Sequence, residues 1–296
     1  MARFERLPIY GTEATRAALM AMYDERLQSW PVSFDSSFVS TRLGETHVIT
    51  TGEPGAPDLL MLPPMGVAGV VWSSIIAALS SRHRVYALDT IGDVGRSELL
   101  DPTGYPKNGR QYSAWLDDVC AALGLSSPDL VGGSMGGWIA MHRAIEAPTS
   151  VRRLVLLGPM GLPSLRTSTA AIAPMMTYAL RPTDARRERI LDRALGDGAR
   201  TNSEFRPWMR LLATCRPNVA APRSIPSRQL RRIQAPTLVV LGAKDGLVGD
   251  ANAVARRARH IGSCEIEILS DAGHALSVDE PELVGGRIVQ FLSSDA

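Results

Sequence analysis

Lysine is nearly missing from this 296-residue chain: Lys107 and Lys244 are the only two, and arginine carries almost all of the positive charge. With 32 basic residues against 30 acidic ones, the formal net charge is +2. That balance supplies no strong field for nucleic acid or for an anionic membrane, so neither is expected as a partner. Together with abundant alanine, the arginine bias reads as codon usage, and "RRER" (186–189) and "RRAR" (256–259) read as solvated helix faces. Cysteine is sparse as well. Cys120, Cys215 and Cys264 are too few, too scattered and too odd in number for a disulfide framework, and they lack metal-ligand spacing. No apolar run reaches the length of a membrane span, and "MARFERLPIYGTE" has charges where a secretory leader needs an apolar stretch. The expectation is a cytoplasmic protein that needs neither metal nor organic cofactor. There is no internal repeat and no low-complexity tract. A homo-oligomer is left open.

What is present is enough apolar residue, 45% of the chain, for one large core or two modest ones. Residues 13–29 have helical periodicity after a Gly-Thr start signal, and Trp30-Pro31 ends the run, giving an N-terminal helical extension over 1–31. Two alternating segments joined at Leu43-Gly44 read as a hairpin. Short apolar runs then recur at "DLLMLPP", "RVYALDT", "DLVGGS", "RRLVLLGP", "TLVVLGA" and "EIEILS", most of them separated by helical composition. Apolar strands alternating with helices predict an α/β fold with a mostly parallel central sheet flanked by helices. The rhythm breaks over 161–230, which is rich in Pro, Arg and Met and holds no clear strand. An insertion of that length after the sixth strand predicts a separate helical cap on a core formed by 32–160 and 231–296.

One short stretch carries the chemistry. Gly132-Gly133-Ser134-Met135-Gly136 fits G-x-S-x-G, the sharp strand-to-helix turn that exposes a serine nucleophile. A serine hydroxyl is weak until a base takes its proton, and the base must be oriented by a third group. On a parallel sheet such groups belong just beyond the carboxyl ends of strands. "TLVVLGAKDGLV" places Asp245 there, and "EIEILSDAGHALSVDEPELV" places His274 in the next such loop. Asp250 and Asp271 compete with Asp245 for the acid role, and Asp271 has the alternative of bracing the histidine loop. His47, His83, His142 and His260 lack any such context, and His142 reads as structural.

These segments together resemble the α/β-hydrolases, and most of all the single-domain bacterial carboxylesterases with a helical cap. "LPPMGVAGVVW" stands where the family has its His-Gly oxyanion loop, and "YALDTIGDVGRS" is similar to its Asp-x-x-Gly-x-Gly-x-Ser turn. "DLVGGSMGGWIA" resembles the nucleophile elbow, and the order Ser134, Asp245, His274 is the order the fold implies. The start, "LQSWPVSF…STRLGETHVITTGEPG", resembles one esterase subgroup closely. The likeness covers roughly residues 30–295 apart from the cap. It implies a serine hydrolase that cleaves a carboxylic ester through an acyl-enzyme.

The first strand loop departs from the family. It reads Pro63-Pro64-Met65-Gly66 in place of His-Gly-x-Gly, and proline has no N–H to offer an oxyanion. The family's donor from this loop maps onto Met65, which keeps its N–H; Met135 would supply the second. The prolines forfeit the family histidine's bracing of the loop. Trp72, Trp115 and Trp138 read as packing residues. Pro64, Met160, Met175 and Met176, with Met209 nearby, are candidates for a deformable apolar pocket around a small ester-type substrate, although ordinary helix packing also accounts for the methionines. Two other readings stay open, the first of them motivated by the altered loop. One is a non-hydrolytic cyclase or lyase, which would escape fluorophosphonate labelling. The other is a small-molecule receptor, which would turn over slowly or once. A serine in the elbow argues against dehalogenase or epoxide-hydrolase chemistry, which needs a carboxylate there.

Overall fold

The computed structural model describes residues 9–163 and 183–294. Its centre is one nine-stranded sheet: β1 (Phe34–Thr41), β2 (Gly44–Thr51), β3 (Asp58–Leu62), β4 (Arg84–Leu88), β5 (Glu98–Leu99), β6 (Asp129–Gly133), β7 (Leu154–Leu157), β8 (Thr237–Gly242) and β9 (Cys264–Leu269). The strands lie in the order β1-β2-β4-β3-β6-β7-β8-β9, with β5 paired to β2. The hairpin β1–β2 and the pair β2–β4 are antiparallel; from β4 to β9 every neighbour is parallel. The predicted α/β-hydrolase architecture is therefore present.

Period-two alternation sends the side chains of each central strand to two different cores. Leu59 and Met61, Val131, Val155, and Leu238 and Val240 join one apolar cluster, with α1 (Glu13–Gln28), α2 (Ile76–Ser80) and α11 (Pro281–Ser293). Leu60 and Leu62, Leu130, Leu154 and Leu156, and Val239 and Leu241 join the other, with α3 (Gly109–Leu123), α4 (Met135–Glu146) and α9 (Ala251–Ala258). Strands buried on both faces need unbroken apolar runs, which is why these segments stood out in the sequence. α1 begins where Thr12 caps it, its hydroxyl accepting from the Thr15 N–H at 3.0 Å. Leu19, Tyr23 and Leu27 from this helix lie in the first cluster, so the extension shares the sheet's own core.

The insertion begins after β7. That is the seventh strand, not the sixth, because β5 is only two residues long and leaves no periodicity to read. Its described part holds α5 (Asp184–Ala194), α6 (Asp197–Thr201), α7 (Phe205–Leu212) and α8 (Ser227–Leu230). Leu191, Leu195, Phe205 and Trp208 are buried in the first cluster and Ile225 and Leu230 in the second. These helices thus pack onto the sheet's apolar cores. α10 (Leu276–Asp279) completes the elements near the carboxyl ends of the strands. Among the described residues no helix is long and apolar enough to cross a membrane.

Candidate active site

Ser134 sits where β6 stops and α4 begins, with φ 48° and ψ −109°. A side-chain residue at positive φ is strained, and strain of this kind persists only where packing over-determines it. The surroundings do so. The Ser134 N–H donates to the Leu157 carbonyl at 2.9 Å, and its own carbonyl accepts from Trp138 and Met160 at 3.1 and 3.0 Å. A Cβ on Gly136 would run into the carbonyls of Leu62 and Pro63, so only glycine lets α4 cross the end of β3 this closely.

His274 Nε2 lies 2.8 Å from Ser134 Oγ, and His274 Nδ1 lies 2.7 Å from Asp245 Oδ2. Three segments distant in the chain meet at the carboxyl end of the sheet. The other oxygen of Asp245 accepts from the N–H groups of Leu247 and Val248, both at 2.9 Å, which fixes the carboxylate's direction. The competing acids are used elsewhere. Asp250 caps α9 by accepting from the Asn252 N–H at 2.9 Å. Asp271 is exposed and pairs with Lys244 at 3.0 Å and with the Ser270 hydroxyl at 2.8 Å. Burial pushes the His274 pKa down, but the charge and hydrogen bond of Asp245, with the charge of Asp279, outweigh it and leave the imidazole above its ordinary value.

The Pro-Pro loop leaves the Met65 N–H free. Among the described residues the N–H groups of Met65 and Met135 have no hydrogen-bond partner, and Met65 is 41% exposed at the mouth of the site. Bracing comes from two residues that sequence reasoning left without a role. The Gly66 N–H donates to Asp93 Oδ2 at 2.8 Å, and the Gly66 carbonyl accepts from Trp208 Nε1 of α7 at 2.7 Å. Asp93 also accepts from the Val94 N–H at 2.7 Å. Burial pushes its carboxyl up to about 7 in spite of those two donors. Asp93 stands in the turn between Gly92 and Gly95, which brings its carboxylate to the Gly66 N–H.

Asp89 of the same turn accepts from the N–H groups of Gly69 and Arg96 at 2.7 and 2.8 Å and from the Tyr23 hydroxyl at 3.1 Å. Tyr23 in turn meets His47 Nδ1 at 3.1 Å, so α1 buttresses the loop from behind.

A cavity of about 350 Å³ opens over Ser134 and His274. Met65, Val67, Leu191, Phe205, Met209 and Leu212 supply much of its apolar wall, and Pro64 also lines it. Arg187 is the one cation among its described lining residues, 3.0 Å from Asp184; "RRER" is therefore not wholly a solvated face. Met160 is not in the lining. Its N–H is held by the Ser134 carbonyl, and its side chain packs against the core on the α4 side of the sheet. Met175 and Met176 lie outside the described residues. The tryptophans pack as expected: Trp115 Nε1 donates to Thr46 Oγ1 at 2.8 Å and Trp138 Nε1 to the Arg223 carbonyl at 3.0 Å. His142 stacks edge-on against Trp138 at 4.6 Å, in keeping with a structural role.

A positive-φ serine between strand and helix, met by an imidazole and a carboxylate from later loops of a parallel sheet, marks a broad class of folds. The chain belongs to the alpha/beta hydrolase family, whose sequence model matches residues 59–285. It is 29% identical over 279 residues to carboxylesterase YbfK of Bacillus subtilis (strain 168), covering 91% of this chain and 92% of that one. The crystal structure of that carboxylesterase, CesB (YbfK), superposes with a TM-score of 0.83 at 26% identity, covering 96% of this chain and all of the other. The crystal structure of naproxen esterase (carboxylesterase NP) from Bacillus subtilis is similar to the same degree, with a TM-score of 0.83, 28% identity and coverage of 95% and 99%.

Proposed function

We propose that this chain is a carboxylic ester hydrolase that works through an acyl-enzyme on Ser134. The carrying observation is the hydrogen-bonded series Ser134 Oγ, His274 Nε2, His274 Nδ1, Asp245 Oδ2, with spacings of 2.8 and 2.7 Å, beneath an apolar cavity. The likeness to two carboxylesterases over nearly the whole chain supports the same reading.

Ser134 Oγ attacks the ester carbonyl while His274 Nε2 takes its proton. Asp245 holds the ring in the tautomer with the proton on Nδ1 and stabilises the imidazolium that forms. The unpaired N–H groups of Met65 and Met135 receive the oxyanion; a single such donor is worth about 3–4 kcal/mol of barrier. His274 then protonates the departing alkoxide, which leaves as the alcohol. Water, deprotonated by the same nitrogen, attacks the acyl carbonyl and releases the acid, returning the proton to Ser134. The cavity's apolar wall favours esters whose acyl or alcohol part is itself apolar, and its volume lies at the small end of the range for ligand pockets.

Replacing Ser134 with alanine tests this directly. Hydrolysis of a p-nitrophenyl ester should fall by roughly 10⁶-fold, and labelling by a fluorophosphonate should vanish. A variant that keeps the native rate overturns the proposal.

A further inference from the structure

The last carbonyls of a helix have no partner within it and must find one outside. In α5 two of them find the triad's own loops. The Arg193 carbonyl accepts the N–H of Gly246, the residue after Asp245, at 3.0 Å, and the Ala194 carbonyl accepts the N–H of His274 at 2.7 Å.

A single carboxylate closes the same seam. Asp279 Oδ2 accepts from Gly273, the residue before His274, at 2.9 Å, and from Gly196 of the insertion at 3.2 Å. Asp279 Oδ1 accepts from Ala199 at 2.8 Å. Backbone lies directly on backbone here: a Cβ on Gly273 would strike the chain at Ala194–Gly196, and one on Gly196 would strike the Asp279 carboxylate. α5 also supplies Arg187, Ile190, Leu191 and Ala194 to the cavity wall.

Resting on the triad reading above, we propose that Asp279 is a positioning residue for His274. Its carboxylate locks the insertion to the histidine loop, so that the α5 wall of the cavity and the imidazole that works beside it hold one geometry or lose it together. Hydrogen bonds to an ionised acceptor are about twice as strong as neutral ones, and three converge on this group. Asp271, nearer to His274 in sequence, reaches the insertion only through exposed Lys244, which also pairs with Asp197 at 3.6 Å, and such exposed pairs contribute little. Asp279 also adds negative charge near His274. The other groups facing the ring are the Asp245 carboxylate and the Ser134 hydroxyl; Arg187 lines the same cavity, and Lys244 with Asp197 and Asp271 lies outside the loop.

Asp279→Asn is nearly isosteric, but its amide nitrogen cannot accept, so at least one of the three N–H groups loses its partner. Turnover of p-nitrophenyl acetate should show kcat lowered roughly 10- to 100-fold while KM moves by less than about three-fold. The acid limb of the pH–rate profile should move to lower pH, since a negative charge that favoured protonated His274 is gone. Asp271→Asn should match the native enzyme in both readouts. A folded Asp279→Asn enzyme with native kcat and native acid limb overturns the proposal, whereas an active Ser134→Ala enzyme overturns the triad reading beneath it.

If Asp279→Asn does not fold, amide exchange in the native enzyme decides. The N–H groups of Gly196, Ala199, Gly273 and His274 should open together, and slow together once Ser134 is phosphonylated. Independent opening of the two segments refutes the seam.

Discussion

Ser134 and His274 lie in hydrogen-bond contact but are held in opposite ways. The serine is held by its immediate surroundings: a positive-φ turn between β6 and α4, clamped by Leu157 on one side and by the crossing at Gly136 on the other. The histidine has no such local frame. Its loop is fixed to the insertion, by the Ala194 carbonyl at the end of α5 and by Asp279, which ties Gly273 to Gly196 and Ala199. A nucleophile can thus be built into a scaffold by packing alone, while its base depends on a distant segment being docked. The two sides should respond differently to the same kind of damage.

Asp245→Asn breaks the base side hardest. Leu247 and Val248 already donate to Oδ1, so the new amide nitrogen would face His274 Nδ1, force the proton onto Nε2 and leave nothing to accept from Ser134. We expect kcat to fall roughly 10⁴-fold with little change in KM, measured by steady-state hydrolysis. The oxyanion loop tests whether the serine side also leans on the insertion. Trp208→Phe keeps the ring but leaves the Gly66 carbonyl without its donor, and should lower the acylation rate about ten-fold in a burst experiment.

The subtlest test is a pH slope. The pKa of Asp93 is raised in the folded protein, so its contribution to stability is full below the unfolded value near 3.8 and is lost as pH rises through about 7. The urea midpoint should therefore drift downward over that interval, and Asp93→Asn should flatten the drift.

The same contrast explains what was legible beforehand. The strands announced themselves because both faces are buried. The elbow did so because its glycines cluster within five residues, although the crowding that demands them comes from the turn itself at Gly132 and from the end of β3 at Gly136. His274 and Asp245 were legible as residue types just past apolar strands. Their supports were not. Gly66 is held by partners 27 and 142 residues away, and nothing local to Asp93 or Trp208 records that they converge. Asp271 and Asp279 flank His274 in sequence, and spacing cannot say which carboxylate turns inward; only the docked insertion decides. Met160 misled for a related reason. It lies close to the insertion in sequence, but the bond from its N–H to Ser134 commits it to the opposite side of the sheet.

The crossing at Gly136 limits how this enzyme can diversify. With carbonyls of Leu62 and Pro63 where any side chain would go, the floor beneath the nucleophile offers no room for new shapes. Selectivity must be rewritten from above, at Leu191, Phe205, Met209 and Leu212. A mutagenesis library spent on the elbow would return mostly misfolded chains, and one spent on those four positions would sample substrates.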